Sequence, residues 1–324
     1  MSSECRIGVA MATYNGQQYI EVQLQSIINQ TLKPDVIIIS DGGSDDETVD
    51  ICEKVLKETD IRYQIYTSEK QLNVRENFQK ALSCCDADYI FFSDQDDCWN
   101  KDKIRKTMEV FMTTGAKMVF TNALLVDQNL DSMDRSLWDT VGYKQSSKLR
   151  VYKKDSDKYL SILLQHNVIT GMCMALTADI KNAVIPFSPY GIHDDWIAIV
   201  SNCLGKVAAF DEQLVNYRQH SQNVIGASDS IIDSFRRRGI YLDSVLNRME
   251  FIKTVLTFTQ RHNGAKVNSI LNYMSHLRYR IEFIKRKHSI LSLLSKKKSF
   301  IKYEYGYKQV LLKDIFTHIF YVKR

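Results

Sequence analysis

The sequence predicts an α/β protein: a mostly parallel sheet flanked by helices, followed by a helical C-terminal extension. Two observations carry this expectation. Short apolar runs alternate with amphipathic patterns over residues 5–121, as βαβ units require. From Ile231 onward the pattern turns helical and basic. Several of the early runs also end in polar or acidic tips, the edge at which open α/β sheets bind ligands.

Taken in order, residues 6–12 read as a strand. Residues 17–30 read as a helix, because Tyr19, Ile20, Leu24, Ile27 and Ile28 recur at helical spacing. Residues 36–39 form a buried strand, and 46–57 a helix capped by Ser44 or Asp45. A strand at 61–66, a helix at 75–84 and a strand at 89–93 follow. A helix at 101–113 and a strand at 118–121 close the regular alternation. Further strands are expected at 171–176, 206–210 and 213–218. The composition shift divides the chain into a catalytic region at 1–226 and a basic helical region at 227–324. Its boundary is marked by Gly, Ser and Asp at 226–230 rather than by proline.

Composition bounds the function classes. The chain has 324 residues, 44% of them apolar and 25% charged, enough for a sizeable core. No run of 18 apolar residues predicts a membrane span, and the first residues lack the apolar stretch of a signal peptide. Seven cysteines without C-x-x-C spacing point to buried thiols in a reducing compartment, not to disulfides or zinc. The net charge of +5 hides an asymmetry: residues 231–324 hold 20 Lys and Arg against 6 Asp and Glu, the rest 23 against 32. Such a basic part suits an anionic surface.

Chemistry concentrates at three tips. The first strand runs into Ala12-Thr13-Tyr14-Asn15-Gly16, either a nucleotide-contacting turn or an ordinary βα turn. The second ends in Ser40-Asp41-Gly42-Gly43-Ser44-Asp45-Asp46, whose glycines permit a close ligand approach. The fourth ends in Asp94-Gln95-Asp96-Asp97. Carboxylates at spacing two can share one hard cation, and that cation would suit a diphosphate. The alternative is a solvated acidic turn with Asp97 as a helix cap. No G-x-G-x-x-G and no Walker lysine is present, so neither a standard dinucleotide site nor a P-loop is supported.

These motifs, in this order and spacing, resemble family 2 glycosyltransferases of the GT-A fold. Tyr217-Arg218-Gln219-His220 and the residues to Gly226 resemble the rhamnosyltransferase-like branch. The resemblance covers residues 5–226. It implies an inverting, metal-dependent transfer of rhamnose or a hexose from a nucleoside-diphosphate sugar to a saccharide acceptor in cell-surface polysaccharide synthesis. By the resemblance, Thr13, Tyr14, Asn15 and Asp41 belong to the nucleotide pocket, and Asp94 lies near the ribose and the metal. Asp96 binds the divalent ion, Mn²⁺ or Mg²⁺, on the diphosphate. Arg75 is a diphosphate contact, although Gln71-Leu72-Asn73 departs from the usual Asn-x-Gly. His220 completes the metal site or touches phosphate, and Arg218 is a second phosphate contact or half of a structural ion pair.

His193-Asp194-Asp195-Trp196 stands where the family places its base. Asp194 is the expected base and Asp195 its rival; both could instead cap a helix. Gly171 and Met172 resemble the acceptor-side wall, and Trp196 either stacks on an acceptor sugar or packs beneath the helix. The implied donor is dTDP-rhamnose or a UDP-hexose, and the implied acceptor is lipid-linked. The basic tail, with Lys296-Lys297-Lys298, suits anionic lipid or a helical cap, and a homo-oligomer contact is also open. The expected location is cytoplasmic, peripheral at the inner membrane face. A sugar nucleotidyltransferase and a nucleic-acid-binding module on the tail are the rival functions. No recognised nucleic-acid motif supports the latter.

Overall fold

Ten strands share one sheet in the computed structural model, which describes residues 5–220, 238–262, 267–285, 287–304 and 307–320. The expected boundary at 226–230, and Arg236 and Arg237 of the tail, lie outside the described residues. In chain order the first half runs β1 (Ile7–Thr13), α1 (Ile20–Ile28), β2 (Val36–Asp41), α2 (Thr48–Leu56), β3 (Arg62–Thr67), α3 (Val74–Cys84), β4 (Tyr89–Ser93), β5 (Cys98–Trp99), α4 (Lys103–Thr114) and β6 (Met118–Val126). Next come β7 (Ser132–Ser136), α5 (Leu137–Thr140), β8 (Leu149–Tyr152), α6 (Asp157–Gln165), a 3-10 turn (Gly171–Cys173), β9 (Met174–Thr177), α7 (Ala178–Val184), α8 (His193–Leu204) and β10 (Val207–Arg218). The tail forms α9 (Arg238–Arg261), α10 (Val267–Ile284), α11 (Ile290–Ser295), α12 (Lys297–Tyr303) and α13 (Tyr307–Phe320).

Strand order is β3-β2-β1-β4-β9-β6-β10-β5, with β7 beside β6 and β8 beside β10. β1 to β4 pair in parallel, as do β6 and β10, whereas β9 runs antiparallel between β4 and β6. The Val-, Ile- and Phe-rich central strands are buried on both faces because helices cover both. One core layer holds α1, α2 and α4; the other holds α3, α6 and α8.

The sequence expectations meet the structure unevenly. The regular alternation to residue 121 is present. The expected strands at 206–210 and 213–218 are one strand, β10, with register shifts between Phe210 and Asn216. Of the expected strand at 171–176 only Met174 onward is strand. Helix α2 is capped by neither Ser44 nor Asp45; Asp46 Oδ1 accepts from Thr48 N at 3.0 Å instead. All seven cysteines are free; Cys52, Cys85, Cys173 and Cys203 are buried, while Cys5 is exposed.

The second core layer does not stop at the catalytic region. Leu242, Val245, Phe251, Ile252, Ile270 and Tyr273 of α9 and α10 join Trp196, Ile197 and Val200 of α8 in it. Every residue from His193 to Cys203 is buried. A helix buried all round needs a partner on each side, and α9 supplies the outer one. Further out, Phe283, Leu293 and Phe300 form a separate small cluster. Among the described residues no helix is long and apolar enough to cross a membrane.

Candidate active site

The turns after β1 and β2 hold one another by reciprocal bonds. Asn15, at φ 46°, receives a bond from Asp45 N at 3.0 Å, while its own N–H donates to Ser44 Oγ at 2.8 Å. Gly16 N donates to Thr48 Oγ1 at 2.7 Å. Asn is among the few residues that tolerate this left-handed backbone.

Asp41 sits under this zipper, 1% exposed. Its Oδ1 accepts from Thr13 Oγ1 (2.9 Å) and Ser44 Oγ (2.6 Å), its Oδ2 from Gly43 N (3.1 Å) and Ser44 N (2.8 Å). A carboxylate offers about four acceptor sites, so these bonds saturate it. Asp41 therefore shapes the turn, with its oxygens taken up by Thr13, Gly43 and Ser44. Thr13 is likewise buried, whereas Tyr14 is 38% exposed and Asn15 is exposed at the turn.

The acidic loop after β4 is tied to the same turn. Gln95 Oε1 accepts from Tyr14 N at 2.8 Å and its Nε2 donates to Tyr14 O at 2.9 Å. A Cβ on Gly16 would fall 2.3 Å from Gln95 Oε1, so a larger residue there would displace the Gln95 amide from Tyr14. Asp96 Oδ2 meets His220 Nε2 at 2.9 Å, and His220 stacks on Tyr19 with centroids 4.8 Å apart. The last residues of β10 thus deliver His220 to the acidic loop across 124 positions of sequence.

Arg218, 4% exposed, is engaged by the loop's backbone. Its Nε donates to Asp96 O at 2.7 Å and another nitrogen reaches Gln128 O. The guanidinium also lies 4.6 Å from the Tyr19 ring centroid. It clamps the backbone carbonyls of this loop and of Gln128. Asp97 is no helix cap: it is fully buried, with Oδ1 accepting from Arg218 N at 3.2 Å, and α4 starts later, at Lys103. Burial and the neighbouring Asp96 and Asp94 push its carboxyl well above the usual range.

Asp94 is half-buried at the head of the loop. Burial and the Asp96 charge raise its carboxyl to about 7, opposed by Lys103. Lys103 escaped the sequence reading. Its Nζ donates to Met172 O at 2.6 Å and rests 3.5 Å from the Trp99 ring centroid. Burial pulls it down to about 7. The signal was present: Lys103, Thr107 and Val110 share the buried face of α4, which puts a lysine in an otherwise inward stripe.

Helix α8 brings the second acidic site. His193 is buried among Phe78, Phe92 and Phe187, with centroids at 4.6, 6.3 and 5.9 Å. Burial, with Arg75 nearby, lowers it to about 4, so it is neutral. Asp194 Oδ1 accepts from Asp195 N at 2.8 Å. Burial, then Asp195 and Asp94, raise the Asp194 carboxyl to about 8. Asp195 is engaged elsewhere: it forms an ion pair with Arg248 of α9. Arg248 also donates to Leu163 O at 2.8 Å. Val245, Arg248, Ile252 and Val255 fall in one helical stripe, a pattern that could have singled out this arginine.

Three expectations on the acceptor side are corrected or narrowed. Trp196 cannot stack on a sugar: it is 5% exposed, donates from Nε1 to Val184 O at 2.9 Å and packs edge-on against Phe258. Met172 is fully buried, its carbonyl bound by Lys103. Gly171 is buried as well, and a Cβ there would lie 3.1 Å from His193 Nε2. Arg75 is half-buried, with Nη1 donating to Pro189 O at 2.6 Å, so it links α3 to the segment leading into α8.

Among the described residues no three His, Cys, Asp or Glu side chains converge as a ready-made metal cage. Asp96 with His220 forms a pair, and Asp94 is its electrostatic neighbour. Divalent ions of the Mg²⁺ type are commonly held by one or two carboxylates together with substrate phosphates. The residues present therefore fit a cation that arrives with a diphosphate.

Comparison with known proteins decides the family. The profile of glycosyl transferase family 2 matches residues 8–178, from the start of β1 through β9. The chain belongs to glycosyl transferase family 2. This glycosyltransferase is 28% identical over 246 residues to the dTDP-rhamnosyl transferase RfbG of Shigella flexneri, spanning 71% of this chain and 78% of that one. It is 31% identical over 129 residues to the putative teichuronic acid biosynthesis glycosyltransferase TuaG of Bacillus subtilis, spanning 40% and 51%. In fold it is similar to S. aureus TarS in complex with UDP-GlcNAc, at TM-score 0.54 and 14% identity over 84% of this chain and 79% of that one. It is similar also to the mannosyltransferase PcManGT of Pyrobaculum calidifontis in complex with GDP-Man and Mn²⁺, at TM-score 0.50 and 14% identity over 98% and 86%. The GT-A architecture implied by the motifs is therefore the observed one. Membership also decides between enzyme classes: glycosyl transfer, not nucleotidyl transfer.

Proposed function

We propose that this glycosyltransferase moves a sugar from a nucleoside-diphosphate donor to a saccharide acceptor with inversion, using a divalent cation, in polysaccharide synthesis. One observation carries the reading. Asp94 lies within electrostatic range both of Asp96, the hydrogen-bond partner of His220, and of Asp194. A phosphate-side pair and a carboxyl with a raised proton affinity therefore lie within reach of one reaction centre.

In this reading Tyr14 and Asn15 line the nucleotide side on the turn that Thr13 and Asp41 shape. Asp94, Asp96 and His220 hold the cation, Mn²⁺ or Mg²⁺, and Arg218 fixes the loop that carries them. Arg75 is proposed to reach the diphosphate, and Gly171 to lie on the acceptor side. The bound cation supplies Lewis-acid stabilisation of charge on the departing diphosphate. Asp194 takes the proton of the acceptor hydroxyl as its oxygen bonds to the anomeric carbon and the bond to diphosphate breaks. Asp195, paired to Arg248, positions the helix and is not the base. A carboxyl raised towards neutrality is matched to such proton transfer.

The Shigella relative supports dTDP-rhamnose as the first donor to try, with UDP-hexoses next. The acceptor is proposed to be lipid-linked, with the chain peripheral on the cytoplasmic membrane face. Residues 1–226 are proposed as the catalytic unit, with the tail completing it. Thermal shift against a panel of nucleotide sugars with Mn²⁺, followed by donor hydrolysis, tests the reading, because ligands of the folded state raise its melting temperature. A panel in which no nucleotide sugar shifts the transition or is hydrolysed would refute it.

A further inference from the structure

A polar cleft on the face of the sheet belongs to no part of the site above. It encloses about 750 Å³ on the sheet face of β6 and β10, within the range of about 300–1,000 Å³ usual for ligand sites. The β7 strand, α5 and the segment after α5 wall it. Its exposed charged groups are Asp134, Asp139 and Asp211 against Arg135 and Lys144. Carboxylates and cations are interspersed, with no positive excess to hold a phosphate. The lining is too polar for an acyl chain, and amides of Gln145 and Gln213 add mixed donors and acceptors. Sugar hydroxyls, each a donor and an acceptor, match such a wall.

The cleft is joined to the chemistry by one strand. Gln213 of the cleft pairs with Asn122, and Arg218, five positions on, pairs with Val126 and clamps Asp96. Across the irregularity in β10 the paired strand advances four residues, roughly 13 Å at about 3.3 Å each. The distance suits sugar units one or more removed from the reacting hydroxyl. We infer that this cleft binds the distal units of a saccharide acceptor, so that the protein reads more of the growing chain than the sugar it extends. This inference rests on the glycosyl-transfer reading.

The test uses the full chain and the double variant Arg135→Ala with Lys144→Ala. Both side chains are exposed, so the fold does not depend on them. The acceptor probe is the solvent-extracted pool of lipid-linked saccharides from the cells that make this protein. The donor is whichever nucleotide sugar the wild-type chain hydrolyses. The expected result is an acceptor KM raised tenfold or more, with kcat at saturation and donor KM each within twofold. An acceptor KM changed less than threefold would overturn the inference. So would a donor KM that rises in step, which would assign the cleft to the nucleotide sugar. A wild-type chain that hydrolyses no donor and transfers nothing refutes the glycosyl-transfer reading itself, an outcome visible without the variant.

Discussion

Arg248 reaches from α9 to Asp195 on α8 and pairs with it, and this contact separates two adjacent carboxylates into different roles. Asp195 is ionically satisfied on one oxygen. Asp194, one residue earlier, faces Asp94 electrostatically and holds its proton to about 8. The arginine lies seventy residues beyond the family match, which ends at residue 178. The tail is thus part of the support of the proposed base.

Two substitutions should therefore behave differently. Asp194→Asn is expected to keep donor affinity and melting temperature but to lower kcat by about 10²-fold or more, the usual scale for a positioned base. Asp195→Asn should strand a buried guanidinium and destabilise the fold by about 3–5 kcal/mol. Urea titration and steady-state kinetics on both variants check this. Normal turnover by Asp194→Asn would transfer the base role elsewhere.

The pH dependence follows from the same carboxyl. A base that protonates near 8 in the free enzyme makes log kcat/KM rise with slope one up to that pH and then level. In the donor complex the cation would lower this value, so the kcat profile should break at lower pH than the kcat/KM profile. Coincident breaks in the two profiles, or a flat kcat/KM from pH 6 to 9, would count against Asp194.

His193 gives a stability signature of the opposite sign. Its ring is held neutral, with the proton affinity depressed to about 4. The stability it contributes is full above the unfolded value near 6.5 and is lost as pH falls through 4. The Asp194 carboxyl, raised in the fold, works the other way, weakening the fold as pH rises from about 4 to 8. The difference between wild type and His193→Phe isolates the histidine. Between pH 7 and 4 the wild type should lose up to about 3 kcal/mol relative to the variant, at 1.36 kcal/mol per pH unit. Denaturant unfolding at several pH values measures it, and parallel curves would refute the assignment.

On the donor side, Asp96→Asn should abolish Mn²⁺-dependent binding of a nucleoside diphosphate, measured by calorimetry, while thermal unfolding of the ligand-free chain changes little. His220→Ala should weaken the same binding by about tenfold, the lower end for removing a metal-site partner. Retained affinity in Asp96→Asn would remove the loop from metal binding.

The parallel core was legible because its strands are continuous apolar runs with helical patterns between them. Residues 127–170 were not: β7, β8 and α5 are four or five residues long, too short for any period to show. The site's residues were legible as motif members, but their division of labour was not. The bond from Thr13 to Asp41, the clamp by Arg218 and the burial of Trp196 depend on partners 12 to 122 positions away. Tertiary pairing of that kind leaves no local pattern. Arg248 and Lys103 could have been suspected as charges in apolar stripes.

The tail poses the last test, and the structure changes which experiment is informative. Cutting the chain before Ile281 would remove Glu304 and Asp314, the partners of Arg280 at 2.6 and 2.9 Å. Arg280 side-chain exposure is only 7%, so truncation strands a buried charge and is expected to destabilise the chain. Loss of membrane binding in a truncated protein would then mean little. Lys296, Lys297 and Lys298 are exposed, and Ile301 nearby is 50% exposed. Changing these three lysines to glutamate leaves the core intact. If the tail meets anionic lipid, at about 1 kcal/mol per basic residue, the triple variant should lose co-sedimentation with phosphatidylserine vesicles at 0.1 M salt. Wild-type binding should itself weaken at 0.5 M, because screening shortens the reach of these charges. Donor hydrolysis should stay within twofold throughout. A wild-type chain that ignores the vesicles at low salt would make the tail a structural brace for α8 alone.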